Sequence, residues 1–480
     1  MPQSTRIAET HISTLFFVDD RVYKRKKSIR TGFLDFTDVA SRRMACHREV
    51  ELNRRLAPDV YLGVADLTLE GVELDHFVVM ARLPEDRRLS ARLDLDSVED
   101  DLRHLAHLLA TFHDGATRSA EIDAASDAAA WSSLWDQGLD QLAPFAGTVL
   151  EPDEVTRCAQ LVWEYLDGRA PLIAERIGTG RACDGHGDLQ AEDIFVLDDG
   201  PRVLDCLEFD DRLRYGDVLA DVAFLAMDLE RLGHPELGAQ FLDRYRELSG
   251  DAWPSSLAHH HIAYRAHVRA KVACLRAEQG DPNAVQQARA LHRQALRHLE
   301  AARVRMVVVG GGPGTGKTTL ARELGERLDA VVLSSDGVRD DLFPRTDGPV
   351  DALHDGRYAP ERVASVYDEL LRRAELLVQR GESVVLDASW IDPRWRDAVR
   401  TLAEQTSSMF TELRCECPTG VIDARINKRL AAGLDPSEAT PAIAHALMVE
   451  ATPWPQAVVI DTAGSLGDAA GLAEAVATRR

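Results

Sequence analysis

The apolar positions divide the chain into two stretches with different rhythms. In TLFFVDDRVYKRKKSIR, residues 14–30, apolar and polar residues alternate on either side of Asp19–Asp20, which predicts two short strands joined by a hairpin turn. The spacing becomes helical in FTDVASRRMACHREVELNRRLA, residues 36–57, with Thr37 as a cap candidate. YLGVADLTLEGVELDHFVVMARLP, residues 61–84, returns to strands and ends in the buried-type run HFVVMARLP. Helical patterns dominate from about 96 to 180. A loop, the strand IFVL, the turn DDGP and the strand RVLD follow, and then helices from about 217 to 302. The charged helix QQARALHRQALRHLEAARVR, residues 286–305, reads as a link. Beyond it, RMVVVGGGPGTGKTTLARELGERL, AVVLSSDGVRDDL, GESVVLDASWIDP and SSMFTELRCECP alternate strand with helix, which predicts a parallel sheet covered on both faces. The expected domains are residues 1–300, with a small lobe to about 85 and a large lobe from about 86, and residues 303–480.

Composition narrows the function classes. The 480 residues are 45% hydrophobic and 28% charged, enough for a sizeable core in each domain. Asp and Glu number 79 against 56 Lys and Arg, a net charge of −23, which disfavours nucleic-acid partners and leaves room for a local basic pocket. No apolar run approaches the roughly 18–20 residues that span a bilayer, and MPQSTRIAETHIST lacks the layout of a secretory signal. The seven cysteines are scattered, and Cys415 and Cys417 lie too close for a CxxC knuckle, so reduced thiols in a cytoplasmic protein are expected.

The clearest chemistry is GGPGTGKT, Gly311 to Thr318, which fits G-x-x-x-x-G-K-[ST] between a strand and a helix. In such a loop Gly311, Gly312, Pro313, Gly314, Thr315 and Gly316 turn backbone N–H groups toward phosphates. Lys317 reaches the β- and γ-phosphates, Thr318 ligates Mg²⁺, and Thr319 continues into the helix. Asp336 and Arg339 follow the next strand. SSDGVR resembles the S-x-D-x-x-R segment of small P-loop kinases of hydroxyl groups: polynucleotide 5′-kinases, gluconate kinases, chloramphenicol phosphotransferases and zeta-type toxins. The resemblance implies Asp336 as the base for the acceptor hydroxyl and Arg339 as a substrate ligand. A helix cap is the plainer role for Asp336. Asp387 ends an apolar strand at a position suited to the Mg²⁺ shell. Ala388 follows it where motor ATPases carry a Glu, which favours transfer over hydrolysis. Arg425 and Arg429 share a helical face. In kinases of this shape such arginines close over the transferring phosphate; a solvated face is the alternative.

About 120 residues earlier, HGDLQAED carries Asp188 and Asp193 at the spacing of the protein-kinase catalytic loop, and RVLD delivers Asp205. Asp188 reads as the acceptor-side base, and Asp193 and Asp205 as metal ligands. HGDLQAEDIF, RVLDCLEFDD and YGDVLADVAF together resemble the aminoglycoside-phosphotransferase group, which shares the protein-kinase fold. The resemblance covers about residues 12–280. It implies a strand lysine, Lys24 or Lys26 by alternation, and Glu49 as its helix partner; a solvated edge strand is the other reading. Two departures stand out: Asp193 replaces the usual Asn, and no G-x-G-x-x-G is present. The backbone at Asp19–Asp20 is therefore expected to cover the phosphates. Asp217 reads as a helix cap and Asp221 as a support for the catalytic loop. His186 reads as a shaper of that loop, and His259–His261 as a solvated helix start. Arg265 and Arg269 share a face and are candidates for holding an anionic substrate, or for salt bridges between helices.

The whole chain resembles a bacterial two-domain group of kinases. A tandem ATP- and Mg²⁺-dependent phosphotransferase of small-molecule hydroxyl groups is the leading expectation. One active domain regulated by the other, or a nucleotide-binding switch without catalysis, are the alternatives.

Overall fold

The structure is a computed structural model and describes residues 6–10, 12–30, 35–344, 355–432 and 440–479. Two compact units divide it. One comprises residues 1–158, 173–253 and 258–298; the other comprises 159–172, 254–257 and 299–480.

The first unit begins with strands β1 (Arg6–Glu9), β2 (Ser13–Val18) and β3 (Arg21–Lys26), helix α1 (Val39–Asn53), and strands β4 (Tyr61–Leu69) and β5 (Val72–Ala81). The strands form an antiparallel sheet in the order β1-β2-β3-β5-β4, so β3 is interior rather than an edge. Its alternation buries Val22, Lys24 and Lys26 on one face, where α1 packs through Cys46 and Val50. Asp38, not Thr37, caps α1: its carboxylate accepts from Ser41 N at 2.8 Å, while the Thr37 hydroxyl donates to Asp35.

The turn at Asp19–Asp20 forms as expected, between β2 and β3. Ser13 pairs with Lys26 and Val18 with Arg21, so that turn sits at the far end of β3 from Lys26. The connection between β1 and β2 lies at the lysine end, where Lys27 N donates to Ile12 O at 2.8 Å. The short strand RIAE adds a hairpin ahead of β2 that the sequence pattern did not predict.

Helices α2 (Val98–Gly115), α3 (Ala120–Ala125), α4 (Ala128–Leu142) and α5 (Pro152–Gly178) follow, then strands β6 (Ala182–Asp184), β7 (Ile194–Leu197), β8 (Gly200–Val203) and β9 (Tyr215–Asp217). β7 and β8 form one antiparallel pair and β6 and β9 another, framing the loops that carry Asp188 and Asp205. Helices α6 (Val218–Arg231), α7 (Pro235–Ser249), α8 (Ser255–Glu278) and α9 (Ala284–Ala301) complete this part of the chain.

His260 and His261 are buried, contrary to the expected solvated start of α8. They pack against α4: Trp135 Nε1 donates to His260 Nε2 at 3.1 Å, and the rings of Trp131 and His261 lie 4.8 Å apart. Burial pushes His261 down to about 4 and His260 well below its usual value, so both are neutral aromatic core members. Among the described residues, no three His, Cys, Asp or Glu side chains gather as a metal-binding group.

The remaining elements are β10 (Arg305–Gly310), α10 (Lys317–Leu328), β11 (Ala330–Ser334), α11 (Ser335–Leu342), α12 (Pro360–Gln379), β12 (Ser383–Asp387), α13 (Pro393–Gln405), β13 (Met409–Glu416), α14 (Thr419–Ala432), α15 (Pro441–Glu450), β14 (Val458–Asp461) and α16 (Leu466–Ala477). The strands form a parallel sheet in the order β11-β12-β10-β13-β14. Met306 and Val308 point toward α12 and α13, while Val307 and Val309 point toward α10 and α16, so β10 is apolar throughout. No helix among the described residues is long and apolar enough to cross a membrane.

Candidate functional site

Two separate sites take shape, one in each unit. In the first, both strand lysines converge on α1. Lys24 Nζ lies 2.9 Å from Glu49 Oε1 and 2.5 Å from Asp205 Oδ1; Lys26 Nζ lies 2.6 Å from Glu49 Oε2 and also pairs with Glu208. Glu49 and Lys26 are fully buried. Burial opposes each charge, yet the partners prevail: Lys24 and Lys26 are raised, and Glu49 is held below the usual carboxylate range. Lys24 links to Asp205, and Lys26 anchors the segment that follows Asp205. The alternatives of Lys24 and Lys26 thus become two roles around one glutamate. Glu208 escaped the sequence reading because its partner is 182 residues away.

The loop bearing Asp188 is held from beneath. Asp221 accepts from His186 N at 2.7 Å and Gly187 N at 2.8 Å, and His113 Nε2 lies 3.1 Å away. Asp228, two turns further along α6, accepts from Ala191 N at 3.0 Å. Asp217 caps α6 by accepting from Leu219 N, and Arg176 grips it with two hydrogen bonds of 2.7 Å. Gly187 has φ +88° and packs against Leu213 O, a geometry that a side chain would strain. His186 is driven down to about 4 by burial, and its Nδ1 accepts from Asp188 N at 3.3 Å, in keeping with a neutral shaper of the loop.

Replacing Asp221 with Ala should orphan two buried N–H groups and the His113 ring. We expect a loss of roughly 3 kcal/mol and a fall in the unfolding temperature of about 10 °C, read by thermal denaturation. A shift below about 2 °C would count against this support role.

Asp188 is pushed up to about 6 by burial and by the charge of Asp205, against the pull of Arg269 and Arg265. Burial and the charges of Asp205 and Asp188 drive Asp193 well above the carboxylate range, while Lys24 holds Asp205 below it. A cation beside Asp193 and Asp205 would relieve that repulsion, so the pair fits Mg²⁺. This ion commonly takes only one or two protein carboxylates and completes its shell with phosphate and water. Arg265 donates Nε to Ala220 O at 3.0 Å and Nη1 to Gly187 O at 3.2 Å, and neither Arg265 nor Arg269 forms a salt bridge between helices among the described residues.

In the second unit a cavity of about 690 Å³ opens at the phosphate loop. Gly314, Gly316, Lys317, Thr318 and Thr319 line it, together with Ser334, Asp336, Asp387, Arg425 and Arg429. Gly311, Gly312, Pro313 and Thr315 complete the turn, and Thr315 Oγ1 donates to Gly312 O at 2.8 Å. Gly316 has φ +87°, which opens the first turn of α10 toward the cavity. Asp387 is buried, and its Oδ1 has no hydrogen-bond partner. Burial raises it, and Lys317 and Thr318 draw it the other way. An orphaned carboxylate oxygen beside Thr318 fits a hydrated Mg²⁺.

Asp336 is not the cap of α11, because Ser334 accepts from Gly337 N at 3.0 Å in that role. Asp336 instead pairs with Arg339. Arg339 is buried and lies over the Tyr358 ring at 4.8 Å, so its pairing with Asp336 is set against an aromatic wall. Arg425 donates to Thr462 O at 2.6 Å and to Gly314 O at 3.5 Å, which ties α14 to the phosphate loop. Arg429 lines the cavity one turn further on. Thr462, Ser465 and Leu466 also line it, and the sequence carried no motif for them.

Residues 18–259 match the family model described as phosphotransferase enzyme family. The chain belongs to the phosphotransferase enzyme family. Residues 306–451 match a second model, described as AAA domain. An uncharacterized protein of Mycobacterium tuberculosis (strain ATCC 25618 / H37Rv) is 43% identical over 462 residues, covering 95% of this phosphotransferase-family chain and 92% of the relative. An aminoglycoside 2′-phosphotransferase structure is similar at 14% identity and TM-score 0.38, covering 62% of this chain and 92% of that one. The Mycobacterium tuberculosis APS kinase, solved with AMPPNP and APS, is similar at 22% identity and TM-score 0.28, covering 36% and 95%. This phosphotransferase-family chain thus joins a protein-kinase-like domain to a P-loop kinase domain, and both are of kinase type.

Proposed function

We propose that the chain is a tandem phosphotransferase that moves the γ-phosphoryl group of ATP to a small-molecule hydroxyl in each domain. The observation that carries this reading is the shared cavity in which Asp336 stands with Lys317, Thr318 and Asp387. The first unit supports it with the run Lys24–Asp205 beside Asp188. In each site the acceptor oxygen forms a bond to the γ-phosphorus, the bond to ADP breaks, and the hydroxyl proton passes to Asp188 or Asp336. Lys24 and Lys317 bind phosphate oxygens, and Arg425 and Arg429 close over them. Mg²⁺, held by Asp193 and Asp205 in one site and near Thr318 and Asp387 in the other, would supply charge neutralisation on the phosphates. A cytoplasmic setting, with reduced thiols and ATP, is part of the same proposal. Asp193, a carboxyl where the family pattern has Asn and one that burial and the charges of Asp205 and Asp188 push toward its neutral form, favours a second reading in which the N-terminal domain senses nucleotide and regulates the other.

A metabolite-pool screen with γ-labelled ATP tests both. Asp188→Ala and Lys317→Ala should each remove a different labelled product. If one product vanishes in both variants, the sites are coupled; if Asp188→Ala changes nothing, the regulatory reading stands.

Asp188 also sets a pH expectation. A base must be ionised, and this carboxyl is raised to about 6. Transfer by the N-terminal site should therefore hold steady above pH about 6 and fall tenfold per unit below it, in kcat/KM profiles. A profile flat down to pH 4.5 would exclude Asp188 as the base.

A further inference from the structure

Arg265 and Arg269 stand one turn apart on α8 and share a face. The two are not equivalent. Arg265 is anchored by the carbonyls of Ala220 and Gly187, and its guanidinium rests against the rings of Phe224 at 5.0 Å and Tyr264 at 5.8 Å. Gly187 directly precedes Asp188, so this anchor fixes the face of α8 beside the candidate base. Arg269 is half-buried and makes no hydrogen bond or ion pair among the described residues. Asp188 takes its side-chain hydrogen bond from Gln190 at 3.0 Å and forms no ion pair with either arginine. Both arginines nevertheless act on Asp188 electrostatically, Arg269 the more strongly. Arg265 is thus tied to the residue before Asp188, and one helical turn further along the same face Arg269 keeps a guanidinium without a partner among the described residues, which a ligand can take.

We infer that the acceptor of the N-terminal domain carries an oxyanion, a carboxylate or a phosphate, in addition to its hydroxyl, and that Arg269 is the ligand for that group. The inference rests on the reading of Asp188 as the acceptor-side base. A guanidinium offers a planar fork that matches an oxyanion bidentately, whereas a cationic acceptor would meet two like charges on one helix face. The setting sharpens the point. A chain of net charge −23 repels anions at long range, so an anionic acceptor needs a local basic pair.

The test uses the full chain carrying Lys317→Ala, so that the second phosphate loop is silenced, with γ-labelled ATP and a bacterial metabolite extract. Labelled product is collected, its phosphate removed, and the recovered acceptor run on ion exchangers at pH 7. An acceptor retained by the anion exchanger is expected. With that acceptor, Arg269→Gln should raise its KM at least tenfold with little change in kcat or in KM for ATP, and Arg269→Lys should restore part of the loss. An Asp188-dependent product whose acceptor is cationic or neutral overturns this inference alone. So does an unchanged acceptor KM in Arg269→Gln. The absence of any Asp188-dependent product overturns the phosphotransferase reading of this site, and the inference with it.

Discussion

Asp205→Ala should abolish transfer at the N-terminal site, with a loss of roughly 10³-fold or more, while the domain stays folded. The carboxylate is the partner of Lys24 at 2.5 Å, and its side chain remains 47% exposed, so it faces the site rather than the core. Its loss leaves Lys24 with Glu49 at 2.9 Å, and no buried charge is stranded. The same substitution removes one of the charges that drive Asp193 upward, so Asp193 should ionise more readily yet lack its companion ligand. Asp193→Asn restores the family pattern and should keep activity while modestly weakening the Mg²⁺ requirement. The measurement is ATP binding and transfer against Mg²⁺ concentration in the full chain for wild type and both variants, with Lys317→Ala as background. Nucleotide binding that ignores Mg²⁺, or a silent Asp205→Ala, would make this half a degenerate kinase fold acting as a regulator.

The parts of the site legible in the sequence are those whose geometry is local. Asp188 and Asp193 lie on one loop, Asp205 follows one short strand, and Gly311–Thr318 forms a single turn, so spacing alone carries their arrangement. Alternation on β3 also marked Lys24 and Lys26 as facing the same way, but it offered a choice of one. That both converge on Glu49 depends on Glu208, which supplies the second anion from a distant loop. The histidine run was misread for a related reason. Imidazole is polar in sequence, yet neutral imidazole packs as an aromatic ring, and only the approach of Trp131 and Trp135 on α4 decides which property prevails. The first strand was missed because RIAE is short and mostly exposed, and gives no strand signal until it is seen paired with β2. Arg339 resembled a substrate ligand by motif, and its burial against Tyr358 is a tertiary fact.

Lys317→Ala and Asp336→Asn should fail in different ways, and the contrast isolates the C-terminal chemistry. Lys317 lines the cavity at the first position of α10, and no ion pair ties it to a carboxylate among the described residues, so its removal should leave the fold intact. Without it, the phosphate loop keeps its backbone N–H groups but loses its mobile cation, and turnover should drop by roughly 10³-fold along with nucleotide affinity. Asp336 shares the cavity with the phosphate loop and is held by Arg339, and in the proposed reading it serves the acceptor rather than the nucleotide. Asp336→Asn preserves shape and the contact with Arg339 but cannot take a proton. ATP affinity should therefore stay within about twofold while transfer falls by roughly 10²–10⁴-fold. Both are read in the full chain on an Asp188→Ala background, by calorimetry for ATP and by labelled product for transfer. If ATP affinity and product fall together in Asp336→Asn, the carboxylate belongs to the nucleotide or metal shell rather than to the acceptor. If Lys317→Ala binds and turns over ATP as before, the loop does not hold the reacting phosphates, and the orphaned oxygen of Asp387 must be explained by a ligand other than the Mg²⁺ of a nucleotide.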